Sequence, residues 1–234
     1  MHYCGVVAVQ GALQLAMLEE VRTAEPPIRL NAQFYEPGSA AEVAHELHTL
    51  GDVVIGVGAP LAGPVNGRPG RDCDALLLRR GVAPQAPTQE TRILADLLRD
   101  LAAFAPGGED RTGPVEEGAY RRFPVFETNA DGVFYALQGR RLAAKRHPYG
   151  VWMRIEELAG DHVVDDGGDL WHRRIEELDA AVCALCAHRY AVGHASWLGD
   201  PVEGVVVLPG ASIPAEFERR GVMPAVERLH LSRA

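Results

Sequence analysis

Lys145 is the only lysine among the 23 basic residues of this 234-residue chain, all the others being arginine. A composition that uses arginine wherever positive charge suffices sets that lysine apart. A compact ammonium suits a point-charge contact to phosphate, or a group whose pKa is tuned by its surroundings. Lys145 also lies in a cationic stretch: between Arg121 and Arg154, Arg121, Arg122, Arg140, Arg141, Lys145, Arg146 and Arg154 face only Glu127 and Asp131, a formal +5. This reads either as a local phosphate-binding patch or as a solvated basic surface. Further along, Glu176 and Asp179 are three residues apart, a spacing that puts both carboxylates on one helix face, with Arg173 and Arg174 as alternative partners.

Other chemistry-bearing types are less specific. His45 and His48 are three residues apart rather than the four of a zinc-protease helix, and they sit on a segment that reads as an ordinary surface helix. Cys183 and Cys186 form a C-x-x-C with no second pair at zinc-finger spacing, so they read as small apolar residues one helical turn apart. Four cysteines are too few and too scattered for a disulfide framework. Gly63-Pro64-Val65-Asn66-Gly67 lacks the Gly-Lys-Ser/Thr ending of a P-loop and reads as a turn-rich loop, and His172 stands just before the acidic pair.

The elements that must position these groups follow from periodicity. Tyr3–Val9 and Leu13–Leu18 flank Gln10-Gly11-Ala12 and read as a hairpin, with a third strand within Ile28–Tyr35. Ser39 and Glu42 form a capping box that opens a helix closed by Gly51, and Val53–Val57 is a short apolar run suited to a buried parallel strand. Helices are predicted over Arg71–Arg80 and Gln89–Phe104, a strand over Phe123–Glu127 and short helical pieces to Leu158. A long helix follows from about Asp169 to Tyr190 with Ile175, Leu178, Val182 and Leu185 as its stripe, and Val205–Leu208 is a last edge strand. Gly107–Gly118 reads as a flexible loop. The expectation is an α/β fold: a mixed sheet whose first three strands are antiparallel and whose later strands are parallel, with helices on its faces.

A net charge of −9 argues against a protein that coats nucleic acid through a general field, so a phosphate site must be local. No apolar run approaches the roughly 18 residues needed to cross a bilayer, and the first residues lack a secretory pattern. No membrane association and a cytoplasmic location are therefore expected.

Val57-Gly58-Ala59-Pro60-Leu61, Arg71-Asp72-Cys73-Asp74, Phe126-Glu127-Thr128, then Lys145, Gly150 and Arg154, and Glu176-Glu177-Leu178-Asp179-Ala180 follow one another in an order and spacing that resembles a widespread bacterial and archaeal family. It is the domain of unknown function numbered four-two-nine, whose members are predicted nucleases with a ribonuclease-H-like fold. Gly199 to Pro209 also looks like that family's C-terminal end, so the resemblance runs from about Gly5 to Pro209. It implies one ribonuclease-H-like domain over residues 1–210, with 211–234 a tail packed on it.

The chemistry the resemblance implies is phosphodiester cleavage assisted by Mg²⁺ or Mn²⁺, hard cations that need several carboxylate oxygens. The family pattern places aspartates where this chain has Val7 and Gly58. The site expected from what remains has Glu127 and Asp179 as metal ligands, and Glu176 as third ligand or base. Lys145 and Arg154 would stabilise phosphate charge and Arg71 would orient the substrate. With two acids gone, metal binding is expected to be weak and hydrolysis weak or lost. The partner is a nucleic acid or nucleotide met through the basic patch, and the alternative is a catalytically silent binding or scaffolding domain.

Overall fold

The computed structural model describes residues 1–61, 63–64, 70–85, 90–103, 125–200 and 204–210. The expected loop over 107–118, most of 63–67, Arg121 and Arg122, and the tail over 211–234 lie outside them.

Strands β1 (His2–Val9), β2 (Ala12–Arg22) and β3 (Ile28–Phe34) form an antiparallel meander. Its first turn is Gln10-Gly11, both with positive φ, which matches the twist of a two-residue hairpin. Helix α1 (Ala40–Leu50) starts at the predicted box, where the Glu42 N–H donates to Ser39 Oγ at 3.3 Å and the Ser39 N–H to Glu42 Oε2 at 2.7 Å. It ends at Gly51, whose φ of 80° an L side chain rarely adopts. Strand β4 (Val53–Val57), buried throughout, then pairs parallel with β1.

Beyond it come α2 (Asp72–Arg79), α3 (Glu90–Ala103), β5 (Val125–Thr128), α4 (Ala130–Gln138), α5 (Pro148–Gly160), β6 (Val163–Asp165), α6 (Ile175–Ala191), β7 (Ala195–Asp200) and β8 (Gly204–Pro209). The sheet order is β6-β3-β2-β1-β4-β5-β8-β7. Its centre is the ribonuclease-H-like arrangement: a β3-β2-β1 antiparallel set followed by β4, β5 and β8, each parallel to the one before.

Two expectations are corrected and one strand is added. Val205–Leu208 lies within β8, which is interior because β7 runs antiparallel along its outer side. Strand β7 has no clean sequence alternation, because Ala195–Asp200 buries only Leu198 well. The long helix begins at Ile175, not near Asp169: Arg173 and Arg174 are extended, and Leu170–His172 is a separate 3-10 turn capped by Asp169.

One face of the sheet carries a core in which Val6, Leu15, Ile55, Val57 and Val125 meet Val43 and Leu47 of α1 and Leu94 and Leu97 of α3. The other face carries α6, flanked by α4 and α5. Helix α6 is buried on more sides than a four-residue stripe allows, since Ala180, Ala181, Cys183, Ala184, Cys186 and Ala187 have no exposed surface. The cause is a floor of glycine. A Cβ on Gly5 would fall 1.9 Å from Ala180 O, and one on Gly56, which pairs with Gly5 across β1 and β4, would fall 2.6 Å from Cys183 O. The helix backbone therefore rests directly on the strands.

Gly5→Ala is expected to lower stability by about 3 kcal/mol, because the contact is with backbone that cannot turn aside. Gly160→Ala, with nothing within 4 Å of its Cβ, should fall between neutral and about 1 kcal/mol of stabilisation. Urea melts of the two variants check the contrast.

Candidate functional site

Pleating decides where the site residues go. Phe126 stacks obliquely on Tyr190 of α6 with ring centroids 4.7 Å apart, and Thr128 places Oγ1 3.5 Å from Cys186 Sγ. Glu127, between them, must leave the sheet on the opposite side, the side of Val57, its register partner. There Arg71, the residue before α2, grips it with two parallel bonds, Nη1 to Oε2 at 2.6 Å and Nη2 to Oε1 at 2.7 Å. The Leu61 N–H donates to Oε2 at 2.9 Å. The same guanidinium donates to Asp74, from Nε at 3.0 Å and Nη2 at 2.8 Å.

Arg71 is 3% exposed and Glu127 6%. Burial opposes the Arg71 charge, but the Glu127 and Asp74 carboxylates outweigh it and hold the guanidinium protonated. Burial raises the Glu127 carboxyl above its ordinary value, against the pull of Arg71 and the Leu61 N–H.

Lys145 belongs to a second set, on elements of the α6 side. Its Nζ lies 2.6 Å from Asp179 Oδ2 and 3.6 Å from Asp131 Oδ1, and Arg154 Nη2 donates to that same Asp131 oxygen at 2.7 Å. Arg154, 2% exposed, also donates to the carbonyls of Gly150 and Ala143, and its guanidinium stands 5.4 Å from the Phe134 ring centre. Burial lowers the tendency of Lys145 to charge, yet Asp179 and Asp131 bring its pKa above the ordinary value, while burial raises that of Asp179. Two buried atoms here have no partner among the described residues, Asp179 Oδ1 and Arg154 Nε. Beside the set opens a cavity of about 310 Å³, lined by Gly81, Val82, Ala83, Asp131, Tyr135 and the 141–145 segment together with Arg154.

The expected site residues are thus divided. Glu127 and Arg71 meet each other; Asp179, Lys145 and Arg154 meet around Asp131. Glu176 is half-buried with no hydrogen bond or ion pair among the described residues. Val7 and Gly58 are neighbours: the Gly58 N–H bonds Val6 O at 2.8 Å. A Cβ at Gly58 would lie 2.8 Å from both Val7 Cγ1 and Cys183 Sγ, so an apolar contact fills the place of the two missing acids.

Asp74, Cys73 and Asp131 were not singled out from the sequence. The i, i+3 spacing of Arg71 and Asp74 was a usable signal for the first. Cys73, Asp74 and Glu127 form the one group among the described residues whose ligand atoms lie within 4.8 Å of one another. It does not suit Mg²⁺ or Mn²⁺. Both carboxylates are already bound by a guanidinium, and burial pushes the Cys73 thiol up to about 11, leaving it a neutral, soft donor. Cys183 and Cys186 are free, fully buried thiols, raised by burial, the latter to about 12.

A family model described as "Protein of unknown function (DUF429)" matches residues 3–203. The chain belongs to this family. Among solved structures, one titled as the RuvC structure of Thermus thermophilus aligns with 14% identity and a TM-score of 0.41, covering 82% of this chain and 95% of that one. A search of the curated proteins finds no match. In this DUF429 member the segments that carried the resemblance supply both charge sets: Arg71, Asp74 and Glu127 in one, and Lys145, Asp179 and Arg154 with Asp131 in the other.

Removing Arg71 should expose that pairing. In Arg71→Gln the Glu127 carboxyl loses its main lowering influences and rises further, so above the ordinary carboxylate range the folded state alone retains the proton. We expect a loss of about 3–5 kcal/mol at pH 7 that shrinks as the pH falls towards 5. Urea melts of variant and parent at both pH values check this, and an equal deficit at the two would contradict it.

Proposed function

We propose that this chain binds a phosphate-bearing ligand, a nucleotide or nucleic acid end, in the cavity beside Lys145, and that metal-dependent hydrolysis has been lost. The observation that carries the reading is the cavity's charge. Lys145, Arg154 and the exposed Arg141 line or border it against the two carboxylates of Asp131 and Asp179, leaving one positive charge in excess. Its volume of about 310 Å³ is at the lower end for a small-molecule site. Lys145 is 31% exposed, so its ammonium can reach an incoming anion while Asp179 holds it in place.

Loss of hydrolysis follows from the separation of the acids. Glu127 and Asp74 are held by Arg71, Asp179 by Lys145, and the strand positions that would join them carry Val7 and Gly58. A two-ion mechanism needs several free carboxylates around one point.

Isothermal titration with adenosine monophosphate is expected to show binding that EDTA leaves unchanged and that Lys145→Gln weakens about tenfold, the value of one charge-assisted contact. Purified protein with Mg²⁺ or Mn²⁺ should not cleave single- or double-stranded DNA or RNA above the rate without metal. Metal-dependent turnover abolished in Glu127→Gln would contradict the proposal, as would adenosine monophosphate binding that requires the ion.

A further inference from the structure

The first turns of α5 carry a feature that the cavity does not use. Tyr149 and Trp152, one helical turn apart, are 50% and 38% exposed, and their rings lie nearly parallel, 18° between planes and 5.3 Å between centroids. Stacked aromatic rings left open to water present a flat apolar face with a polar handle at its edge. Their position is fixed by what lies under them. Gly150 between them packs so closely that a Cβ would fall 2.1 Å from Ala144 O, so α5 is seated directly on the segment that lines the cavity.

The charge around the pair is one-sided. From Gly139 to Ile155 the chain has Arg140, Arg141, Lys145, Arg146 and Arg154 and no carboxylate. Lys145 and Arg154 are held by Asp131 and Asp179, and Arg140 lies near Glu157. Arg141 and Arg146 are exposed and have no ion-pair partner among the described residues. Glu156, exposed one turn beyond Trp152, bounds the patch on its far side.

We propose that this face is a stacking platform for single-stranded nucleic acid. An unpaired base lies on the Tyr149–Trp152 pair, and Arg141 and Arg146 meet the flanking phosphates. Aromatic faces beside backbone-tracking cations are how single strands are held without regard to sequence. With a net charge of −9 over the whole chain, attraction is confined to this locality. The inference rests on the phosphate-binding reading of the neighbouring 141–145 segment and adds the class of ligand: a strand with free bases, not a phosphate alone.

The test is fluorescence anisotropy of a labelled oligodeoxythymidylate of about 20 nucleotides, long enough to span one such site, with the full chain. The wild type is expected to bind it. Tyr149→Ala/Trp152→Ala should weaken binding at least about tenfold with an unchanged melting temperature, since stacking of one base supports that much. Two phosphate contacts give a slope of log affinity against log salt of about −1.4, which Arg141→Ala/Arg146→Ala should remove. A duplex of equal length should bind more weakly.

Binding undiminished in the aromatic variant, or equal for duplex and single strand, overturns the platform. So does an aromatic variant that abolishes self-association in sedimentation while binding the oligonucleotide normally. Adenosine monophosphate binding separates the two readings. If it stays Lys145-dependent while the aromatic variant binds oligonucleotide normally, only the platform fails; if it is absent while the platform variants behave as expected, only the cavity reading fails.

Discussion

The backbone of α6 rests on bare strand backbone at Gly5 and Gly56, and the rest of the molecule is arranged around that contact. Packed layers ordinarily stand about 10 Å apart because side chains from both interdigitate. Here two paired glycines remove the side chains of one layer, while Ala180, Ala184 and Cys183 keep those of the other small. At such closeness many atom pairs sit at the optimum of dispersion attraction, and any added atom must displace backbone. The same closeness brings Cys183 onto Gly58 and Val7, so the middle of the central strands is sealed by apolar groups.

That seal governs the acids. A carboxylate in a protein interior needs a counter-charge and further hydrogen bonds to offset its desolvation. Glu127 obtains both from Arg71 and the Leu61 N–H on one face, and Asp179 obtains its counter-charge from Lys145 on the other. Each counter-charge depresses the attraction its carboxylate could offer to a metal ion. What remains open is the cationic side: the Lys145 ammonium, the cavity wall at 141–145, and the arginines flanking Tyr149 and Trp152.

Much of the fold could be read from local chemistry. The Ser39–Glu42 box, the Gly51 stop and the Val53–Val57 run each follow from one or two residues with a single strong preference, and the ordered motifs identified the family. Strands β6 and β7 could not be read so, because three residues and a half-exposed run get their pairing from neighbours far along the chain. For the site, Lys145 was legible through its rarity, and the Glu176–Asp179 spacing through helical geometry. The division of Glu127 from Asp179 was not, because it depends on which way one residue of a four-residue strand points, and a shift of one residue reverses that. The occupation of Arg154 by an internal carboxylate was equally hidden, since Asp131 carries no mark in sequence that distinguishes a partner from a solvated acid, whereas the i, i+3 spacing of Arg71 and Asp74 did offer a signal.

The claim on which this account turns is that Glu127 and Asp179 belong to separate charge systems on opposite faces of the sheet. A double-mutant cycle on urea stability with Glu127→Gln and Asp179→Asn addresses it directly. Independent systems with no shared partner predict that the double variant equals the sum of the singles to within about 0.5 kcal/mol. A coupling above about 1 kcal/mol would mean that the two carboxylates share one site, and would contradict it.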